Sequence, residues 1–200
     1  MTKNFYFGDK DCYFKKQYDD KHGFSKWNET ISGYIKKINE SVDDRAYVIF
    51  AAGLLEKQIT QILQIIFPKY KYLEDVDSYT FSMKIRMLKA LNLLPNHFLN
   101  FSDLVREIRN VFAHNIDIES FEDFAEHPKL LKKLRKIDAY CAEWKENLVK
   151  SNFDNKWRNK FDDIYRLALE GLFCYEENVK ALFDKIWNKE FIKKLDENNI

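Results

Sequence analysis

The chain is poor in residues that break helices. Five glycines and three prolines stand among 200 residues, about 4% where an average chain carries roughly 12%. Sandwiches and barrels need frequent Gly/Pro turns, so an all-β fold is nearly excluded and long helices are favoured. Cysteine is scarce as well. Cys12, Cys141 and Cys174 are odd in number, far apart and free of any C-x-x-C pair. That argues against a disulfide framework and a structural zinc site, and a reducing cytoplasm is the expected home. Long apolar runs are missing. The longest, Ala46 to Leu55, has ten residues, whereas a membrane-spanning helix needs about 20. The first residues show no apolar h-region and no small-residue cleavage site, so no signal peptide and no membrane association are expected. An excess of one charge is also lacking: 33 basic residues face 32 acidic ones, a net charge of +1. Such balance gives no global attraction to nucleic acid or anionic lipid, so any polyanion site must be a local patch. His22, His97 and His127 have no partner at metal-ligand spacing, and neither a metal nor a cofactor is expected.

What remains is a globular helical chain. Apolar residues make up 46% and charged residues 32%, which excludes disorder. The length suits one domain that can bury roughly 70% of its unfolded surface. Residues 1–24 hold Phe5, Tyr6, Phe7, Tyr13, Phe14, Tyr18 and Phe24 and read as an aromatic extension packed on the body. Trp27, Ile31, Tyr34, Ile35 and Ile38 form a helical stripe. Ser41-Val42-Asp43-Asp44 offers an N-cap with acids in the first turn. The helix that follows, to Phe67, is apolar on several faces and so should be central. Its Gly53 suggests the close approach of another helix, and Pro68 should end it. After a loop over 68–79, Ser78 or Thr80 can cap a helix from Phe81 to about Leu94. Ser102 can cap another running to about His114. An acidic loop (Asp117, Glu119, Glu122, Asp123, Glu126) leads to His127-Pro128, which opens a helix to about Lys150. A long helix over about 155–188 precedes a polar tail, 196–200. The expected architecture is all-α: one bundle of about six helices over 25–195 with the aromatic extension ahead of it.

The sharpest local feature is Arg106-Glu107-Ile108-Arg109-Asn110-Val111-Phe112-Ala113-His114. Five positions apart on an ideal helix, Arg109 and His114 lie about 140° apart, unless a frayed last turn swings His114 back. Arg106, Asn110 and His114, at i, i+4 and i+8, share roughly one face. Together they suit metal-free RNA cleavage. Histidine can move a proton at a ribose 2′-hydroxyl or a leaving 5′-oxygen. Arginine forks can hold the phosphate and stabilise its extra charge, and Asn110 can orient the imidazole. The plain alternative is a histidine that caps helix carbonyls. Glu56, in the central helix, is a candidate supporting acid facing Arg86 or Arg109, or else a structural ion pair. Asp43-Asp44-Arg45 reads as a solvated first turn. Lys129, Lys132, Lys133, Arg135 and Lys136 read as a salt-bridged surface, or as a phosphate-binding rail with Lys132 and Lys133 in it. Cys141 and Cys174 fall in helical apolar patterns and should be buried. Trp144, Trp157 and Trp187 read as core or interface.

The stretch RNVFAH resembles the Arg-polar-x-x-x-His signature of the HEPN superfamily, several branches of which are metal-independent ribonucleases in toxins and defence systems. Three blocks are similar to one branch, the mannitol operon repressor family: Asp44-Arg45-Ala46 through Leu55-Glu56; Thr80 to Arg86 with Ala90 to Leu94; and Asp103-Leu104 through His114 with Phe121-Glu122-Asp123. Arg158-Asn159-Lys160-Phe161 is a weaker echo. The blocks cover roughly residues 41–170. The family pattern leads one to expect a glycine where Asn92 stands. The resemblance implies a HEPN-like helical bundle, a homodimer, and catalytic Arg109, Asn110 and His114 with Arg106 as a second phosphate contact. The partners it implies are an RNA substrate and a protein such as an antitoxin. It equally allows a non-catalytic transcriptional regulator acting through protein contacts, since no helix-turn-helix or basic recognition helix is evident.

Overall fold

A computed structural model describes Gly33 and residues 43–67, 79–144 and 156–186. The aromatic extension, the Trp27 stripe, Trp187 and the polar tail lie outside the described residues. Helix accounts for 87% of the described residues and no strand occurs among them, so the fold is all-α. The order is α1 (Asp44–Ile66), α2 (Phe81–Leu91), α3 (Asn96–His114), α4 (Phe121–Glu126), α5 (Pro128–Trp144) and α6 (Trp157–Ile186). No helix among the described residues is long and apolar enough to cross a membrane.

α1 is the central element. Asp43 caps it, accepting from the Arg45 backbone N–H at 2.8 Å. Tyr47, Val48, Ala51, Leu55, Ile59 and Ile62 are wholly buried along it. Each large apolar side chain among them stabilises the fold by roughly 1.5–3 kcal/mol relative to exposure. α6 runs parallel to α1. Arg158 meets Asp44, Asp162 meets Tyr47, the Tyr165 hydroxyl donates to the Ala51 carbonyl, and Glu176 accepts from Gln58. α3 runs antiparallel, because Arg45 at the start of α1 reaches the chain just past the end of α3. One side of α1 stays open. Ile49 and Phe50 are 42% and 61% exposed, so the helix is buried on two flanks rather than all round.

Several element boundaries differ from the sequence expectation. α2 ends at Leu91, not near Leu94, because Asn92 turns left-handed at φ 49°, ψ 34°. Glycine and asparagine are the residues that tolerate that conformation, which accounts for asparagine where a glycine was expected. α3 starts at Asn96 behind Pro95, more than a turn before Ser102. Ser102 lies buried inside the helix, and its hydroxyl donates back to the Phe98 carbonyl at 2.8 Å. The acidic loop contains a short helix, α4, closed by a capping box between Ser120 and Asp123. Gly53 is exposed and an added Cβ there would meet nothing within 4 Å, so it marks no close helix approach. Gly171 does: a Cβ there would lie 2.2 Å from the Phe98 ring. Cys141 and Cys174 are half-buried rather than buried, and partial burial pushes the Cys141 thiol up to about 11. Trp157 packs against the core.

Candidate functional site

The sequence-derived residues gather on the last turns of α3. Phe112 anchors those turns from below, with Phe121 and Phe124 of α4 at 5.5 Å between ring centroids. Phe121 in turn packs on Phe161 of α6 at 5.4 Å. With that apolar side fixed, Arg106, Arg109, Asn110 and His114 fall on the outer arc of the helix. His114 is exposed and the other three are half-buried.

The last turn is not frayed. The Asn115 N–H donates to the Val111 carbonyl at 3.0 Å, and the Asn115 amide side chain donates to the same oxygen at 2.7 Å. His114 therefore keeps its helical position, and Arg109 and His114 splay around α3 with Arg106 and Asn110 between them. Asn115, not His114, supplies the side-chain cap to a carbonyl of the last turn. Arg106 is engaged. Its Nε and Nη2 both lie 2.8 Å from the Asp103 carboxylate. The side chains of Arg109, Asn110 and His114 make no hydrogen bond or ion pair among the described residues.

The other candidates separate. Glu56 pairs with Lys84 of α2 at 3.1 Å, not with Arg86 or Arg109. Lys84 is 4% exposed, and a lysine so enclosed needs a carboxylate partner, so Glu56 has a structural role away from the α3 end. Lys133 forms an ion pair with Glu107 of α3. Lys132 is exposed and unpaired among the described residues.

Asp44 and Arg45, expected on a solvated first turn, instead belong to a bonded cluster behind the site. Asp44 is buried. One of its oxygens accepts from Arg158 at 2.7 Å and the other from the Phe121 backbone N–H at 2.9 Å. Arg158 also covers the Tyr47 ring, 4.8 Å from its centroid. The Tyr47 hydroxyl donates to Asp162 at 2.7 Å, and burial, with the Asp162 charge beside it, raises its pKa. A terminal nitrogen of Arg45 lies 3.2, 2.8 and 2.8 Å from the carbonyl oxygens of Asn115, Ile116 and Ile118. The segment after His114 is thus pinned to α1. A signal for this cluster exists in the sequence: a charged pair opening an apolar helix has to find partners once that helix is buried.

Two apolar features flank the α3 end. Ile116, in the pinned segment, is 80% exposed, and Ile49 and Phe50 stand about one turn beyond Arg45 on α1. Among the described residues no group of three His, Cys, Asp or Glu side chains could hold a metal ion. No family model, no curated protein and no solved structure matches the chain.

Proposed function

We propose that the chain is a metal-independent ribonuclease of the HEPN type, acting as a homodimer in a toxin or defence setting. One observation carries this reading. The side chains of Arg109, Asn110 and His114 stand unpaired among the described residues at a helix end whose last turn is closed by Asn115, while Asp44, Arg45, Arg106, Glu107 and Arg158 around them are all bonded. Unpaired groups held in place can meet a substrate without first breaking internal bonds.

In this reading Arg109 clamps the scissile phosphate and Asn110 orients it. A His114 imidazole takes the proton of the 2′-hydroxyl, the O2′–P bond forms, and the P–O5′ bond breaks. A second His114 returns a proton to the leaving oxygen. Arg106 can add a second contact after releasing Asp103. The splay of Arg109 and His114 on one helix favours a phosphate held between two copies. Ile49, Phe50 and Ile116 offer the apolar surface that a second copy would cover.

The test is cleavage of mixed RNA by the wild type beside His114→Ala and Arg109→Lys. His114→Ala should lower cleavage about 10²-fold or more, and Arg109→Lys should also lose activity because a point charge cannot replace the fork. Products should end in 2′,3′-cyclic or 3′-phosphate, and EDTA should leave the rate unchanged. Cleavage of DNA, or full activity in His114→Ala, refutes the mechanism. No cleavage across a broad RNA panel transfers the proposal to a non-catalytic regulator that works through protein contacts.

A further inference from the structure

The outer face of α5 carries Lys129, Lys132, Arg135 and Lys136. A salt-bridged surface is the ordinary fate of such a run, and the structure departs from it. All four are exposed, and their side chains make no ion pair or hydrogen bond among the described residues. The fifth cation, Lys133, is the one that is bonded, and its partner Glu107 belongs to α3. Lys133 thus fastens α5 to the site helix and leaves the row beside it free.

The direction of the row follows from two contacts. Tyr140 of α5 meets Phe101 of α3 with 5.4 Å between ring centroids, and Lys133 meets Glu107. The helices are therefore antiparallel at this flank, and Lys129, one turn before Lys133, stands level with the turn of α3 that follows Glu107. From there Lys132 and Lys136 lead away, so the row spans about 10 Å of helix at 1.5 Å per residue. Among the described side chains, the acids around it leave it open. Glu122 and Glu126, on α4 ahead of the row, are exposed and bonded to none of its members. Asp138, just past its far end, is held by Lys160 of α6 at 2.8 Å.

We infer that Lys129, Lys132, Arg135 and Lys136 form a binding rail for the sugar–phosphate backbone of single-stranded RNA, delivering one strand to the end of α3. A chain with net charge +1 has no global field to hold a polyanion, so a local row of unpaired cations has to supply the attraction. A single row on one helix matches one strand; a duplex presents two. The inference rests on the ribonuclease reading only for the strand being RNA.

The test measures binding of a labelled single-stranded oligoribonucleotide to the full-length His114→Ala protein over a series of salt concentrations. The triple variant Lys129→Gln/Lys132→Gln/Lys136→Gln, in the same background, should weaken binding about tenfold or more at low salt. It should flatten the slope of log affinity against log salt by roughly 0.7 per lost phosphate contact. The control Arg86→Gln/Lys89→Gln/Lys180→Gln should change neither. Circular dichroism must show equal helix content in all three proteins; if the rail triple unfolds, the single variant Lys132→Gln, with a slope change of about 0.7, decides. An unchanged slope, equal loss in the control, tighter binding of duplex RNA, or competition by polyglutamate as effective as by RNA would each overturn the rail. Binding that depends on the rail in a protein that cleaves nothing keeps the rail and removes the ribonuclease. Cleavage with no rail dependence does the reverse.

Discussion

Where α3 ends, two sets of polar groups lie back to back. Behind the helix end, Asp44, Arg45, Tyr47 and Arg158 are knitted to one another, to Asp162 or to backbone groups at 2.7–3.2 Å. In front of it, the side chains of Arg109, Asn110 and His114 bond to nothing among the described residues. Both sets combine arginine with other polar side chains, so residue type does not distinguish them. What differs is burial and pairing. The rear set uses its hydrogen-bonding capacity to hold α1, α4 and α6 together, and the front set keeps its capacity open. Energetic importance for the fold and availability to a ligand are thus separated by the thickness of one helix.

Substitutions on the two sides should break apart accordingly. The largest loss belongs to Asp44→Ala, which leaves Arg158 and the Phe121 N–H without their acceptor. Removing one partner of such a pair costs about 3 kcal/mol, the low end of the range because the Arg158 side chain keeps 26% exposure. A urea unfolding midpoint that stays put would contradict the rear set's role. Arg45→Met comes next, at about 1–2 kcal/mol for the lost charged donor, and hydrogen exchange of the segment after His114 should accelerate. A smaller effect, with a pH signature, belongs to Asp123→Asn. Bonds from Ser120 and Glu119 hold the Asp123 carboxyl below the usual carboxylate range. A depressed folded pKa contributes stability above the unfolded value that is lost as pH falls through the folded one. The gap between wild type and variant should therefore close on the acid side, and a constant gap from neutral pH into acid would refute the assignment. Smallest of all, Arg109→Ala and His114→Ala should shift stability by no more than about 0.5 kcal/mol. A melting curve displaced well beyond that would move them into the rear set.

The helices were legible because their stripes are long and glycine and proline are few. A cap for α2 at Ser78 or Thr80 and the run of α3 to His114 could be read from residues alone, and the structure chooses Thr80. Other features depended on what a side chain meets across the fold. Ser102 looks like a cap, but its hydroxyl turns to its own helix's carbonyl. Gly53 and Gly171 both stand inside helices, and the Phe98 ring packed on Gly171 tells them apart. The candidate residues on α3 could be named in advance, since they are local. Arg45 could not be, because the carbonyls it binds lie about 70 residues away along the chain. Glu56 was recognised as a pairing acid, but its partner proved to be Lys84.

The parallel pairing of α1 with α6 also orders events in time. Tyr47 and Asp162 are 115 positions apart, and a ribosome delivers the earlier one first. Until α6 emerges, α1 carries Tyr47 and Gln58 without the carboxylates they meet in the finished fold. Closing so long a stretch is slow compared with local helix pairing. The frame that backs His114 is therefore completed only once α6 has been made, and a nascent chain that stops short of α6 carries the α3 residues without the architecture that presents them.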